Sequence, residues 1–234
     1  MTKKAAAGKI DSSLKIRTRS ALVFGAGFLA ILYLGGIVFA VIMLAVAALA
    51  VYEWSRMVLS RRRHRIILTA LGIFYIGFSV GTIVWLRTVV EHGLYHTLTL
   101  LLIVWSSDIC AYFSGRAIGG PKLAPTVSPK KTWAGFIGSS VGAAVVAASL
   151  TCPWVLANSG GATIGHLSWA GYGIMGFVLA MFGQVGDLLI SALKRTYGVK
   201  DTGALMPGHG GILDRIDALL LATLLFGALV AVFQ

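Results

Sequence analysis

The sequence predicts an all-α, polytopic transmembrane protein of about seven spans with its N-terminus in the cytoplasm. Three observations carry this. Hydrophobic residues make up 57% of the 234-residue chain and charged residues 12%, with a mean hydropathy of +0.86. A soluble domain carries about 25% charged residues, and a chain of this size could not hide so much apolar surface from water. The apolar residues fall into uninterrupted stretches of span length, since about 20 residues cross the hydrocarbon core. The basic residues behind the formal net charge of +12 sit at the ends of those stretches rather than in one patch. That placement excludes a nucleic-acid surface and fits membrane flanks that meet anionic head groups.

Met1 to Arg19 is basic and polar and leads into Ser20–Tyr33 without an A-x-A-like cleavage site, so it reads as a retained cytoplasmic tail. No charged residue occurs from Ser20 to Tyr52. That is too long for one span, and Gly35-Gly36 divides it into Thr18–Leu34 and Ile37–Met57. Further spans are expected at Ile66–Leu86, Leu94–Phe113, Trp133–Leu156, Ala170–Lys194 and Ile212–Phe233. The chain thus divides into a tail, 1–19, and one transmembrane domain, 20–234.

Orientation follows from the loops. With the tail inside, the basic residues form four cytoplasmic groups: the tail; Arg56 with Arg61, Arg62, Arg63 and Arg65; Arg116, Lys122, Lys130 and Lys131; and Lys194, Arg195, Lys200 and Arg215. Only Arg87 falls outside, as the positive-inside rule requires of so lopsided a count. Cys110 and Cys152 lie in apolar stretches without CxxC spacing and read as small buried hydrophobes. His92, His96 and His166 lie near the external face, and most of the six tryptophans sit near span ends as interfacial anchors.

Only eight residues are acidic, so their positions are informative. Asp11 is in the tail, Glu53 ends the second span and Glu91 is external. The others are Asp108, Asp187, Asp201, Asp214 and Asp217, and all but Asp201 lie within or at the cytoplasmic ends of apolar helices. An ionised group at a helix centre costs roughly 2.5–3.5 kcal/mol on insertion scales and is functional by default. A single such acid could be a structural ion pair; four converging on one membrane face point to a site. Asp187, Ser191, Lys194 and Arg195 recur at i, i+4, i+7 and i+8, which places them on one face of the sixth span. Asp214 and Asp217, at i and i+3, share a face of the seventh.

Between those spans runs Thr196–Gly211, with Lys200, Asp201 and His209. Its end, Pro207-Gly208-His209-Gly210-Gly211, directly precedes a helix. Glycines let backbone approach an anion, and free N–H groups at a helix start favour phosphate. Carboxylates beside such a loop suit Mg²⁺, which takes one or two protein carboxylates plus substrate phosphates. Lys194, Arg195 and Lys200 would neutralise a triphosphate. A second constellation, Asp108 and Tyr112 followed by Ser128-Pro129-Lys130-Lys131-Thr132, adds two lysines and two hydroxyls at the same face, although positive-inside anchoring accounts for the lysines equally well. The residues by themselves describe a membrane enzyme acting on a phosphate-bearing substrate at the cytoplasmic face.

The run Ser191-Ala-Leu-Lys194-Arg195, Lys200-Asp201 and Pro207-Gly-His209-Gly-Gly-Ile-Leu-Asp214-Arg215-Ile-Asp217 resembles the motif of the phosphatidate cytidylyltransferase (CDP-diacylglycerol synthase) family. The Asp108–Tyr112 and Ser128–Trp133 segments resemble that family's upstream blocks, so the matching core is about 100–234. The resemblance implies transfer of CMP from CTP to phosphatidate, giving CDP-diacylglycerol and pyrophosphate. It implies a Mg²⁺ centre with an accompanying K⁺ on Asp187, Asp214 and Asp217, with Ser191, Lys194 and Arg195 as further catalytic residues. Substrate contacts would come from Asp108, Tyr112, Ser128, Lys130, Lys131, Thr132, Lys200, Asp201, Gly208, His209, Gly210, Gly211 and Arg215. A homodimer in the cell membrane is implied as well.

Two positions depart from the family pattern: Ile190 stands where an acid is usual, and Ala134 where Glu or Gln is common. Against that family pattern, about two spans are expected to be missing between Leu86 and Leu94. A related CTP-dependent enzyme acting on another lipid phosphate, as in CDP-archaeol synthesis, would share the chemistry. A transporter would line an ion path with such acids but has no use for the glycine loop and lysines, and an inactive scaffold is favoured only by the two departures.

Overall fold

The computed structural model describes residues 23, 25–59, 65–160, 163–203, 205 and 210–233. The tail at 1–19, Arg61–Arg63, and the expected substrate residues Gly208 and His209 lie outside the described residues.

Among the described residues, seven apolar helices correspond to the seven expected spans, the first only in its part from Gly25. In chain order they begin with α1 (Gly25–Leu34), α2 (Gly36–Leu59), α3 (Arg65–Thr88) and α4 (Gly93–Ala117). A two-stranded hairpin follows, β1 (Lys122–Ala124) and β2 (Ser128–Thr132), and then α5 (Trp133–Ser149), a short α6 (Pro153–Asn158), α7 (Trp169–Thr196) and α8 (Leu213–Phe233). Among the described residues, α2, α3, α4, α7 and α8 are long and apolar enough to cross a membrane, while α1 and α5 are shorter. The chain is a helical polytopic membrane protein. Its exposed surface fits that solvent: Leu44, Ile66, Phe74 and Ile174 are each more than two-thirds exposed on helix faces, where lipid replaces water.

Boundaries differ from expectation at two places. The fifth span stops at Ser149 instead of running to Leu156, because Pro153 lacks an N–H and cannot continue a helix. The chain turns at Leu150–Cys152 and restarts with the proline in the first turn of α6. Cys152 is therefore exposed, and Cys110, on α4, is only half-buried, contrary to their reading as buried hydrophobes. The second difference is the hairpin, which the sequence did not reveal. It pairs Lys122 with Thr132 and Ala124 with Ser128 in antiparallel register.

The expected turn at Gly35-Gly36 is present, with both glycines in the left-handed region at φ 63° and 53°. Arg87, expected from the sequence to be the lone external cation, is engaged there. Its Nε donates to the Leu32 carbonyl at 2.7 Å and its Nη2 to the Tyr33 carbonyl at 3.0 Å, so it satisfies carbonyls left open at the end of α1.

The helices that carry the motif pack in series, α4 on α5, α5 on α7 and α7 on α8, with α2 against α3 and α3 against α8. Small residues allow the close approach that drives helix association in lipid. A Cβ on Gly186 of α7 would lie 2.9 Å from the Asp217 carbonyl of α8. The α7–α8 contact is therefore close beside Asp187 and Asp217.

Candidate active site

α7 brings three polar groups to its buried side. Asp187 accepts the Ser191 hydroxyl at 3.1 Å, and Ser191 and Lys194 are buried. Arg195 is not brought with them. At about 100° per residue, Lys194 falls within about 20° of Asp187 around the helix, whereas Arg195 is about 80° away. Arg195 is exposed, and its guanidinium donates to the carbonyls of Val127 and Val199, both at 3.2 Å. It ties the hairpin turn to the end of α7.

The hairpin separates the two lysines that the sequence treated alike. Successive strand residues point to opposite sides: Lys130 is exposed, while Lys131 turns inward. Lys131 Nζ lies 2.7 Å from Asp187 Oδ2 and donates to Gln184 Oε1 at 2.9 Å. The Gln184 amide reaches Asp108 Oδ1 of α4 at 3.5 Å. Thr132 is taken up structurally, its Oγ1 accepting the Gly135 N–H at 3.1 Å as the N-cap of α5. Tyr112 faces outward and accepts from Arg116 at 2.9 Å. Ser128 is half-buried on β2, and Lys200, Asp201 and Arg215 are exposed.

A second cluster forms at the start of α8. Lys194 Nζ pairs with Asp214 Oδ1 at 2.7 Å, the two side chains being 10% and 5% exposed. Asp214 Oδ2 accepts from Thr202 N at 2.9 Å, Thr202 Oγ1 at 3.1 Å and Gly211 N at 3.0 Å. The next two N–H groups are also occupied, by a residue the sequence reading left aside. Glu53 of α2 accepts from Ile212 N at 3.1 Å and Leu213 N at 2.9 Å. The helix start that the sequence offers to phosphate is thus filled by the protein's own carboxylates. Gly211 makes room for one of them, because a Cβ there would run into the Glu53 carboxylate. Gly210, at φ 84°, turns the chain into this position beside Asp201 and Asp214.

The two clusters form one electrostatic centre. Asp187 acts on the charges of both Asp108 and Asp217, Lys131 and Lys194 both act on Asp217, and Arg215 acts on Asp108. Among the described residues no three His, Cys, Asp or Glu side chains converge as a ready-made metal cage. In particular, Asp187, Asp214 and Asp217 do not form one group: Asp187 is paired with Lys131 and Asp214 with Lys194. The donor set is carboxylate, hydroxyl and amide. It fits a hard divalent cation that takes one or two protein carboxylates and completes its shell with phosphate oxygens. Asp187 and Asp217 lie near the α7–α8 contact and could contribute carboxylates to one.

Sequence reasoning missed Glu53, Gln184 and Thr202. Gln184 carried a usable signal, since a buried polar side chain one turn before Asp187 in an apolar span demands partners. Glu53 carried a weaker one, as the sole acid of α2. The buried Ile190, 2% exposed, belongs to the apolar core, so this chain puts no acid at that place.

Comparison with known proteins adds a second line. The cytidylyltransferase family matches residues 57–233. Phosphatidate cytidylyltransferase of Brucella suis biovar 1 (strain 1330) is 46% identical over 165 residues, 69% of this chain and 57% of that protein. The Bacillus subtilis (strain 168) enzyme of the same name is 37% identical over 170 residues, 70% of this chain and 58% of its own length. The chain therefore spans a little over half the length of these relatives. The Rickettsia bellii (strain RML369-C) phosphatidate cytidylyltransferase is 36% identical over 224 residues, covering 93% of this chain and 91% of that one.

Proposed function

Because the chain belongs to the phosphatidate cytidylyltransferase family, we propose that it transfers CMP from CTP to phosphatidate at the cytoplasmic face of the cell membrane, releasing pyrophosphate and CDP-diacylglycerol. The observation that carries this reading is the pairing of two inward lysines, Lys131 and Lys194, with Asp187 and Asp214 at the membrane-end junction of α7, α8 and the hairpin. Two ammonium groups gathered at one place support a phosphate-binding role. The basic loops argue that this end is cytoplasmic, where CTP is.

In the proposed reaction a phosphate oxygen of phosphatidate attacks the α-phosphorus of CTP. The bond from that phosphorus to the bridging oxygen breaks, and the electron pair leaves on pyrophosphate. Phosphatidate is already ionised at neutral pH, so no strong general base is required. Lys131 and Lys194 bind the phosphates and stabilise charge on the transferring group and the leaving pyrophosphate. Ser191 holds Asp187 in place, and Gln184 fixes the Lys131 ammonium from its other side. Mg²⁺, with an accompanying K⁺, would be held by Asp187 and Asp217 beside Asp214, and would neutralise phosphate charge and orient the α-phosphate. Family resemblance further supports a homodimer, which cross-linking in membranes tests.

Purified protein given CTP, phosphatidate and Mg²⁺ should release pyrophosphate and form CDP-lipid. Asp187→Asn should abolish this while the protein remains folded in detergent. Turnover on another lipid phosphate but not phosphatidate would redirect the substrate assignment, and ion flux without nucleotide turnover would reject the reading.

A further inference from the structure

Glu53 lies outside the stretch matched to the family, 57–233, and outside the motif. It is nevertheless the residue on which the start of α8 rests. Its side chain is almost wholly buried, at 2% residue exposure. A buried carboxylate must be compensated by hydrogen bonds or charge. Among the described residues its partners are the N–H groups of Ile212 and Leu213 and the Thr202 hydroxyl, at 3.1, 2.9 and 2.9 Å. None is a cation. The positive end of the α8 dipole supplies the rest of the compensation.

The sequence accommodates this carboxylate from both sides. A Cβ on Gly203 or on Gly211 would collide with it, so the two glycines leave a space that Glu53 fills. Those contacts join residues 149 to 160 positions apart.

We propose that Glu53 is a positioning residue for cytidylyl transfer, setting Asp214, Lys194 and Asp217 through the start of α8. This rests on the reaction proposed above. Two routes lead from it. The Thr202 hydroxyl contacts Glu53 Oε2 at 2.9 Å and Asp214 Oδ2 at 3.1 Å, and Asp214 holds Lys194 at 2.7 Å. One hydroxyl proton serves both carboxylates, so moving either reorients it. The second route is the helix itself, because the N–H groups bound by Glu53 open the helix that carries Asp214 and Asp217. Glu53 touches no reacting atom in this scheme; it fixes where the reacting groups stand.

The test compares Glu53→Gln, Glu53→Asp, Thr202→Val and, as a packing control, Trp54→Phe in the full chain. Trp54 neighbours Glu53 but ties α2 to α3 through the Leu68 carbonyl at 2.9 Å. Gln keeps the shape of Glu53 but turns an NH₂ toward one of the N–H donors. Glu53→Gln should lower kcat at least tenfold with a smaller change in KM for CTP, and Glu53→Asp should restore part of it. Thr202→Val should lower kcat less, and its effect should not add to that of Glu53→Gln, as expected of residues in one network. Trp54→Phe should lower thermal stability and leave kcat unchanged.

A second readout is independent of the reaction. Amide hydrogen exchange at Ile212 and Leu213 should speed up in Glu53→Gln while α5 and α7 keep their protection. Unchanged exchange there, or a kcat loss matched by Trp54→Phe, overturns the positioning role. Absence of CTP-dependent turnover in the unmodified protein, with the exchange result as expected, would reject the reaction and keep Glu53 as the anchor of α8.

Discussion

Replacing Lys194 or Lys131 with methionine separates the stability role of each lysine from its role in turnover. The substitution keeps an unbranched, lipid-compatible side chain and removes the charge with its N–H donors. The Lys194–Asp214 pair is closed off, with side chains 10% and 5% exposed. Breaking a buried pair from one side leaves an uncompensated charge and costs 3–5 kcal/mol as a rule; Asp214 keeps three other donors, so about 3 kcal/mol is expected. The Lys131–Asp187 pair is more open, at 18% and 30%, and Asp187 keeps the Ser191 hydroxyl. Exposed pairs contribute 0.2–1 kcal/mol, so Lys131→Met should cost roughly 1 kcal/mol. Both variants should lose nearly all CDP-lipid formation, since each removes a cation assigned to phosphate. Equilibrium unfolding in mixed micelles of rising SDS fraction measures the first quantity, and pyrophosphate release in the folded fraction measures the second. Equal stability losses would refute the burial argument. Normal turnover in either variant would remove that lysine from the phosphate site.

Two further substitutions test neighbouring parts of the same architecture. Gly211→Ala puts a methyl group into the Glu53 carboxylate and the Thr202 hydroxyl; overpacking of this kind costs about 1–3 kcal/mol, and thermal unfolding in detergent should show it together with a fall in kcat. Thr132→Val removes the N-cap of α5, worth about 1 kcal/mol, and should lower thermal stability while leaving KM for CTP within about twofold, because the cap points to Gly135 and not to the site.

Much of the fold was legible because a bilayer imposes one rule on every span. Backbone polar groups must be satisfied within the segment, so apolar runs of sufficient length become helices whatever their tertiary neighbours. The failures occur where that rule lapses. The hairpin at Lys122–Thr132 lies beyond the apolar runs, and its strands are three and five residues long, too short for alternation to register. The early end of α5 had its signal in Pro153, which the apolar character of the segment obscured.

The site was legible in its inventory and less so in its wiring. Helical phase put Asp187, Ser191 and Lys194 on one side of α7, where the structure has Asp187 bonded to Ser191 and Lys194 buried. Phase at i+8 was stretched too far for Arg195, and side-chain direction along β2 could not be assigned without knowing that β2 exists. Glu53 could not be connected at all. Its partners lie some 150 residues away, and an acid at a span end looks the same whether it meets water or caps another helix.

That last ambiguity changes how the glycine loop is understood. A glycine-rich segment before a helix is read as a place where backbone approaches a ligand anion. Here the N–H groups of Gly211, Ile212 and Leu213 meet Asp214 and Glu53 instead. Under the proposed function, phosphate recognition therefore falls to the ammonium groups of Lys131 and Lys194, while the loop glycines serve to seat Glu53. The two devices respond differently to ionic strength. Backbone N–H donors hold an internal carboxylate that is shielded from salt, whereas lysine–phosphate attraction weakens as screening rises. On the proposed function, a hold on CTP through the more open Lys131 should weaken with ionic strength while the α8 start stays fixed.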